Sequence, residues 1–290
     1  MRTPRTLVTR SALLLAAVVL TAAAVRAARP APGASAGGAG LHARYGAAVA
    51  MGNGQARTYL VVDERSGNPV EVGVALSAEA LEGLPQHAPD HGPGTHGPYS
   101  EYLLELPAGN PTPYRFVEVD WNPSGHGGPY TAPHFDFHFY RVPLATRNQI
   151  DLGAPGFAEK AARLPAMDEI RAGYASNHVL LNTTPAGMTV PRMGLHWVDL
   201  KSPELPPSNQ PFTRTFILGS WDGQVIFDEP MVTRDFILAQ RSGPATATAI
   251  AVPPARRYAP AGFYPESYGI RWDEAAGEYR IALQGLAWRE

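Results

Sequence analysis

His134, Asp136 and His138 occupy alternate positions in TAPHFDFHFY, residues 131–140, with Phe135, Phe137 and Phe139 among them. Imidazole and carboxylate are the groups that bind transition metals and move protons near neutral pH. Alternating strong β-formers read as a strand, which puts the three polar groups on one face and the phenylalanines on the other, against a core. A solvated sheet face ordinarily carries Lys, Glu, Thr or Ser, so this face is the first candidate for a site. A helix would also set His134 and His138 one turn apart, a spacing at which two ligands can share one metal. Four aromatics over seven residues would then surround that helix, which argues for the strand. In a regular strand the two histidines stand about 13 Å apart at about 3.3 Å per residue. Either a bulge brings them together, or Asp136 is a ligand beside one of them and the other serves elsewhere in the pocket.

Two further segments offer partners. In MGLHWVDL, residues 193–200, alternation places His196 with Gly194 and Val198, and the glycine leaves room above the sheet for a ligand or metal; a buried, hydrogen-bonded histidine explains the pattern nearly as well. Asp222-Gly223 is the strongest hairpin signal in the chain. A two-residue loop pairs Trp221 with Gln224 and, further out, Phe216 with Glu229, so that Glu229 shares its face with Val225 and Phe227. A carboxylate there needs a metal, a cationic partner or a raised pKa, unless the strand ends in water before Pro230. His126, in the Gly-rich turn NPSGHGGP, can reach the same pocket. His87, His91 and His96 lie in a Gly and Pro loop that reads as mobile surface or as a metal-scavenging flap, and His178 reads as a core or edge histidine.

The elements that must position these residues are short. There are 29 Gly and 29 Pro in 290 residues, a composition that favours turns and resists long helices. Strands are expected at 56–62 and 69–76, joined by a Ser66-Gly67-Asn68 turn, then at 101–106, 114–121, 193–200, 212–219, 224–229, 246–252, 268–272 and 279–283. Short helices are expected at 78–84 and 157–164, the latter inside an excursion on the sheet. With 44% hydrophobic residues the chain can bury a sizeable core, and the pattern predicts a mostly β fold, a single-domain β-barrel or β-sandwich over residues 41–290 with a few short helices.

Charge and motifs exclude several classes. A net charge of −2, from 24 basic and 26 acidic residues, gives no footprint for nucleic acid or an anionic membrane surface. No P-loop motif is present, and the literal GxSxG and GxGxxG matches, GASAG at 33–37 and GPGTHG at 92–97, fall in Gly- and Pro-rich segments without the strand-turn-helix context those motifs need. Arg2, Arg5 and Arg10 precede an apolar run over residues 12–25, and Val25-Arg26-Ala27 offers a small-residue cleavage site, so residues 1–27 read as an export signal and the protein as secreted or periplasmic. An uncleaved anchor is the alternative, against which the run falls short of the roughly 20 residues that span a bilayer. Residues 28–40 read as a disordered Pro, Gly and Ala tether. The chain has no cysteine, which leaves stability to the core, a metal or contacts in a homo-oligomer.

GNGQARTYL, PHFDFHFY, PRMGLHWVDL and WDGQVIFDEPMVT together resemble an uncharacterised family of secreted bacterial proteins, typified by one under sigma-E and anti-sigma-E control. The resemblance spans roughly residues 45–285. It implies one exported, β-rich domain that can form oligomers and is linked to envelope stress; it brings no substrate and no catalytic residues. HFDFHFY also resembles the paired-histidine strand of α-type carbonic anhydrases, but their histidines are two apart, and Asp136 holds that position here.

These residues are compatible with two functions. In the first, His134, His138, His196 and Glu229 hold a divalent metal, zinc by preference, with Glu229 as fourth ligand or general base, Asp136 and His126 as orienting groups or alternate ligands, and a metal-bound water as nucleophile for hydrolysis or hydration. In the second, the same pocket in a noncatalytic envelope protein binds a small ligand or a stabilising metal. The export reading predicts a mature chain that begins near residue 28 when the full sequence is expressed in a bacterium; N-terminal sequencing that returns Met1 would contradict it.

Overall fold

The computed structural model describes residues 40–92, 97–242 and 249–290, all within one compact unit spanning Ala34–Glu290. The expected export signal, the tether up to residue 39, His96 and the start of the strand expected at 246–252 lie outside the described residues. The strands of the first half are β1 (Leu41–Tyr45), β2 (Val49–Met51), β3 (Gly54–Asp63), β4 (Pro69–Ser77), β5 (Ser100–Glu105), β6 (Phe116–Asn122), β7 (His134–Tyr140) and β8 (Tyr174–Ser176). Those of the second are β9 (Thr189–Val190), β10 (Gly194–Asp199), β11 (Arg214–Trp221), β12 (Gln224–Thr233), β13 (Ile250–Ala251), β14 (Gly262–Tyr264), β15 (Ser267–Asp273), β16 (Glu278–Gln284) and β17 (Ala287–Arg289).

They form two antiparallel sheets, in the orders β1-β3-β4-β16-β15-β13 and β5-β6-β7-β12-β11-β10-β8, with β2 beside β3, β9 beside β10 and a separate β14-β17 pair. Among the described residues no pairing closes either sheet, so the architecture is an open sandwich rather than a barrel. Its main core is contributed by both sheets: Leu60, Val74 and Ile281 from the first meet Phe137, Phe139 and Leu218 from the second. This is what period-2 alternation requires, one apolar face of each sheet turned toward the other.

The other face of the second sheet is covered as well. Between β7 and β10 four short helices, Leu144–Arg147, Phe157–Ala162, Asn177–Leu180 and Pro185–Met188, make the expected excursion, and Phe157 and Ile150 pack with Tyr140 and Phe227 of the sheet in a second apolar cluster. The helix expected at 78–84 is a single 3₁₀ turn, Ala78–Leu81, and the one expected at 157–164 stops at Ala162. None of the described helices is long and apolar enough to cross a membrane.

The Asp222-Gly223 hairpin pairs Trp221 with Gln224 as expected, but a bulge between Gly219 and Ser220 shifts the outer pairs by one residue. Glu229 therefore stands opposite Ile217, and Phe216 opposite Pro230. A Cβ on Gly219 would run into the Phe227 ring, so the bulge sits where a glycine lets that ring cross the neighbouring strand. Val225 consequently belongs to the main core and Phe227 to the second cluster. Nor does the strand end before Pro230; β12 runs on to Thr233.

One residue of β12 carries a charge into the inter-sheet side. Asp228 Oδ2 accepts from Tyr114 Oη at 2.7 Å and Arg141 Nη2 at 2.6 Å, and Oδ1 from Arg171 Nη2 at 3.2 Å. Burial works to raise its pKa, but Arg141 and Arg171 overcome that and hold it below the ordinary value. Two buried guanidinium groups thus depend on one carboxylate. Asp228→Asn is expected to cost about 3–5 kcal/mol in a urea denaturation series. For the depressed Asp228 pKa, the pair's contribution is present in full above the unfolded carboxylate value of about 3.9 and is lost as pH falls from there through the folded value; the variant's deficit should shrink over that acid window.

Candidate functional site

β7 is a central strand, flanked by β6 and β12, and all seven of its residues are buried. Its register with β6 is uninterrupted and sets Glu118 opposite His138, Asp120 opposite Asp136 and Asn122 opposite His134. On the other side Met231 faces Asp136 and Thr233 faces His134, a register that sets Glu229 across from His138. The strand contains no bulge to draw His134 and His138 together, so each takes partners from the strands beside it.

His138 is held between carboxylates. Its Nδ1 lies 3.6 Å from Asp120 Oδ2 and its Nε2 3.5 Å from Glu229 Oε2. His196 reaches the same point from β10, and one ligand atom from each of His138, His196 and Glu229 lies within 4.8 Å of the others. Three residues proposed from separate segments are therefore brought together. His134 does not join them. It forms a second group with His126 and Asp136: His134 Nδ1 donates to the Ala132 carbonyl at 2.7 Å, while Nε2 stands 3.2 Å from Asp136 Oδ1. Asp136 Oδ2 accepts from Asn122 Nδ2 at 2.9 Å and lies 3.8 Å from His126 Nε2. The reason is geometric: residues four apart on a regular strand are too far separated to share one small ion.

A third group, Glu118, Asp120 and His138, was not legible in the sequence beyond His138. Glu118 is ion-paired with Arg147, which also contacts Glu101 Oε2 at 2.6 Å and Asn148 Oδ1 at 2.9 Å. The cue was present in FVEVDW, where Glu118 and Asp120 alternate with apolar residues as His138 and Asp136 do in HFDFHFY. Sequence did not reveal that this alternate face is buried.

Burial sets the electrostatics. It raises Glu229 and Asp120 well above the ordinary carboxylate range, with neighbouring carboxylates adding to the effect, and it pushes Glu118 up to about 7 against the pull of Arg147. It pushes His196 down to about 3, with His138 and His126 acting in the same direction. Asp136 goes the other way, since His134 and His126 overcome its burial and hold it well below the ordinary value. For His134 burial lowers the pKa, but Asp136 reverses the sign and raises it.

A cavity of about 610 Å³ opens onto these groups, within the roughly 300–1,000 Å³ typical of small-molecule sites. His196, Glu229 and His126 line it together with Tyr130, and Leu180, Leu181, Met188, Leu200 and Leu205 contribute apolar wall. His126 and Tyr130 come from the Gly-rich turn after β6, where the His126 amide donates to the Tyr130 carbonyl at 2.9 Å. Gly125 permits this closure, at φ +64° and with no space for a Cβ beside the Tyr130 carbonyl. His178 stays apart, its Nδ1 2.8 Å from Ser176 Oγ. His91 stacks on Tyr99, with ring centroids 4.0 Å apart, and His87 is exposed.

Residues 64–121 match the TTHB210-like family, described as hypothetical protein TTHB210. The matched stretch takes in β4 to β6, with Glu118 and Asp120, and stops before β7. No curated protein and no solved structure matches the chain.

Gly194 has a different role from the one its position suggested. It does not make room for a ligand; at φ +79° its missing Cβ lets the chain approach the Ser220 carbonyl of β11. Gly194→Ala should therefore cost about 1–3 kcal/mol, whereas Gly127→Ala in the cavity lining, with nothing within 4 Å of the added Cβ, should unfold at nearly the parent urea concentration. Equal midpoints for the two variants would refute this assignment.

Proposed function

We propose that the protein is a metal-dependent hydrolase in which His138, His196 and Glu229 hold a divalent cation, zinc by preference, at the floor of the cavity. The observation that carries this reading is the approach of three ligand atoms, from three strands, to within 4.8 Å of one another where the cavity ends. Two histidines and a glutamate are a donor set of catalytic zinc sites, which keep a fourth position for water. Access and pairing favour this group: His196 and Glu229 line the cavity, where Glu118 and Asp120 do not, Glu118 is held by Arg147 and Asp136 Oδ2 by Asn122, and Glu229 Oε2 has no hydrogen-bond partner among the described residues. Asp120 beside His138 Nδ1 supplies the carboxylate that commonly orients a metal-binding imidazole.

Zinc can lower the pKa of a bound water to about 7, making it a nucleophile at neutral pH. A water activated in this way would add to a substrate carbonyl carbon as the bond to the leaving oxygen or nitrogen breaks, and the leaving group would take up a proton originating from that water. His126, lining the cavity with Asp136 behind it, is the group placed to carry that proton. A noncatalytic ligand-binding protein is the second reading, favoured by the largely apolar wall. The exported setting, with its link to envelope stress and to a homo-oligomer, belongs to the proposal too and rests on the N-terminal signal and the family resemblance.

Zinc titration with a competing chelator tests the centre. His196→Ala and Glu229→Gln should each weaken zinc affinity at least about 100-fold, and Asp120→Asn about 10- to 100-fold. His134→Ala, in the separate group, should change it less than Asp120→Asn does. Zinc binding that is indifferent to His196 and Glu229 would end the proposal; zinc binding as expected with no turnover of any ester or amide would leave the noncatalytic reading.

A further inference from the structure

The cavity has a wall and a floor of opposite character. Five of its wall residues, Leu180, Leu181, Met188, Leu200 and Leu205, are apolar, and toward its mouth they are left in water, Leu181 65% exposed and Leu200 48% exposed. Such side chains gain from contact with an aliphatic chain in proportion to the area covered. The floor is polar. Beside Glu229 and His196 it carries Tyr130, a buried residue whose hydroxyl has no hydrogen-bond partner among the described residues. The ring is fixed by edge contacts with Phe212, centroids 4.9 Å apart, and His126, 5.5 Å apart, so the hydroxyl is a positioned group rather than a swinging one. Leaving a buried donor unpaired is costly, and a ligand acceptor removes the cost.

Wall and floor together define a ligand. An acceptor is needed at the Tyr130 hydroxyl, and for a hydrolase it is the carbonyl oxygen of a neutral acyl group, because a free carboxylate has no acyl bond left to break. Resting on the hydrolase function, we propose that the substrate is a neutral acyl compound, an ester or amide of an aliphatic acid, whose carbonyl oxygen accepts a hydrogen bond from Tyr130 while the chain lies along Leu180, Leu181, Met188 and Leu200. Tyr130 then orients the acyl carbon toward His196 and Glu229 in the same cavity, where a held cation would supply the activated water. The step is ordinary hydrolysis, with water adding across the acyl bond to give a carboxylic acid and an alcohol or amine.

The test is calorimetric titration of the full-length protein as purified with the primary amides from butanamide to decanamide. The dissociation constant should fall roughly fourfold per methylene until the chain outgrows the cavity. Leu181→Ser, at a residue exposed enough to change without unfolding the protein, should weaken decanamide about fivefold and leave butanamide unchanged. Tyr130→Phe should weaken the whole series by a common factor of about three to ten. A dissociation constant indifferent to chain length, or a Tyr130→Phe series that overlays the parent, would overturn the proposal. Zinc titration of the same samples is read separately. Chain-length dependence without zinc binding sinks the hydrolase and leaves an acyl-binding pocket, whereas zinc binding with a flat amide series sinks the substrate class and leaves the metal centre.

Discussion

The rest of the site depends on a row of ionisable side chains that the sandwich buries on one face of its central strands. Taking a charge out of water costs several kcal/mol unless a partner stands beside it, so the positions of Glu118, Asp120, Asp136 and His138 constrain everything that packs over them. Arg147, delivered by the first short helix of the excursion, pairs with Glu118. Asn122 and His134 satisfy Asp136 from the same sheet. The excursion also supplies Phe157 and Ile150, which seal the apolar end of the face near Tyr140 and Phe227. What remains under the open end is Glu229 with His138 and His196, and this is where the cavity reaches the sheet.

Much of the fold was legible because alternation is a local signal. β7 runs over His134–Tyr140, the stretch in which aromatic and polar residues alternate, and β3, β4, β10 and β16 fall within a residue or two of their expected limits. The failures have one physical origin. Relations between strands depend on register, and register is not written in either strand alone. The Asp222-Gly223 turn fixes the first two pairs of its hairpin, but the Phe227 ring over Gly219 introduces a bulge, and every pair beyond it moves by one. Glu229 still arrived on a buried face, since its burial comes from the strand continuing through Pro230 and not from the Phe216 neighbour that an unbulged hairpin would give it.

Glu118 and Asp120 show the same limit from the other side. In sequence their strand shows Glu118 and Asp120 alternating with Val117, Val119 and Trp121, but not what covers the polar face. Only the antiparallel register across the turn at residues 123–133 lays that polar row beside the polar row of β7, and only the excursion covers both. Gly194 errs in the opposite sense. A glycine near a histidine invited a ligand, but its φ of +79° and the Ser220 carbonyl beside it give a backbone reason for the residue.

The separation of His134 from His138 also determines where a cation can sit. His134 Nδ1 is engaged by the Ala132 carbonyl, so Nε2 faces Asp136 and the pair forms an internally compensated unit with His126. His138 has Asp120 near Nδ1, which leaves Nε2 directed to Glu229. The two rings of one strand face thus present equivalent nitrogens to carboxylates in unlike surroundings. Asp136 gathers two imidazoles and stays anionic, whereas Glu229 lies in a region where burial and the carboxylates Asp136 and Glu118 disfavour its charge. A proton relieves that repulsion by neutralising Glu229. A divalent cation would relieve it while leaving the carboxylate ionised, and the two other donors there, His138 and His196, are imidazoles able to bind when neutral. A bound cation would accordingly change the electrostatics more at the Glu229 group than at the His134 group, whose charges already compensate one another.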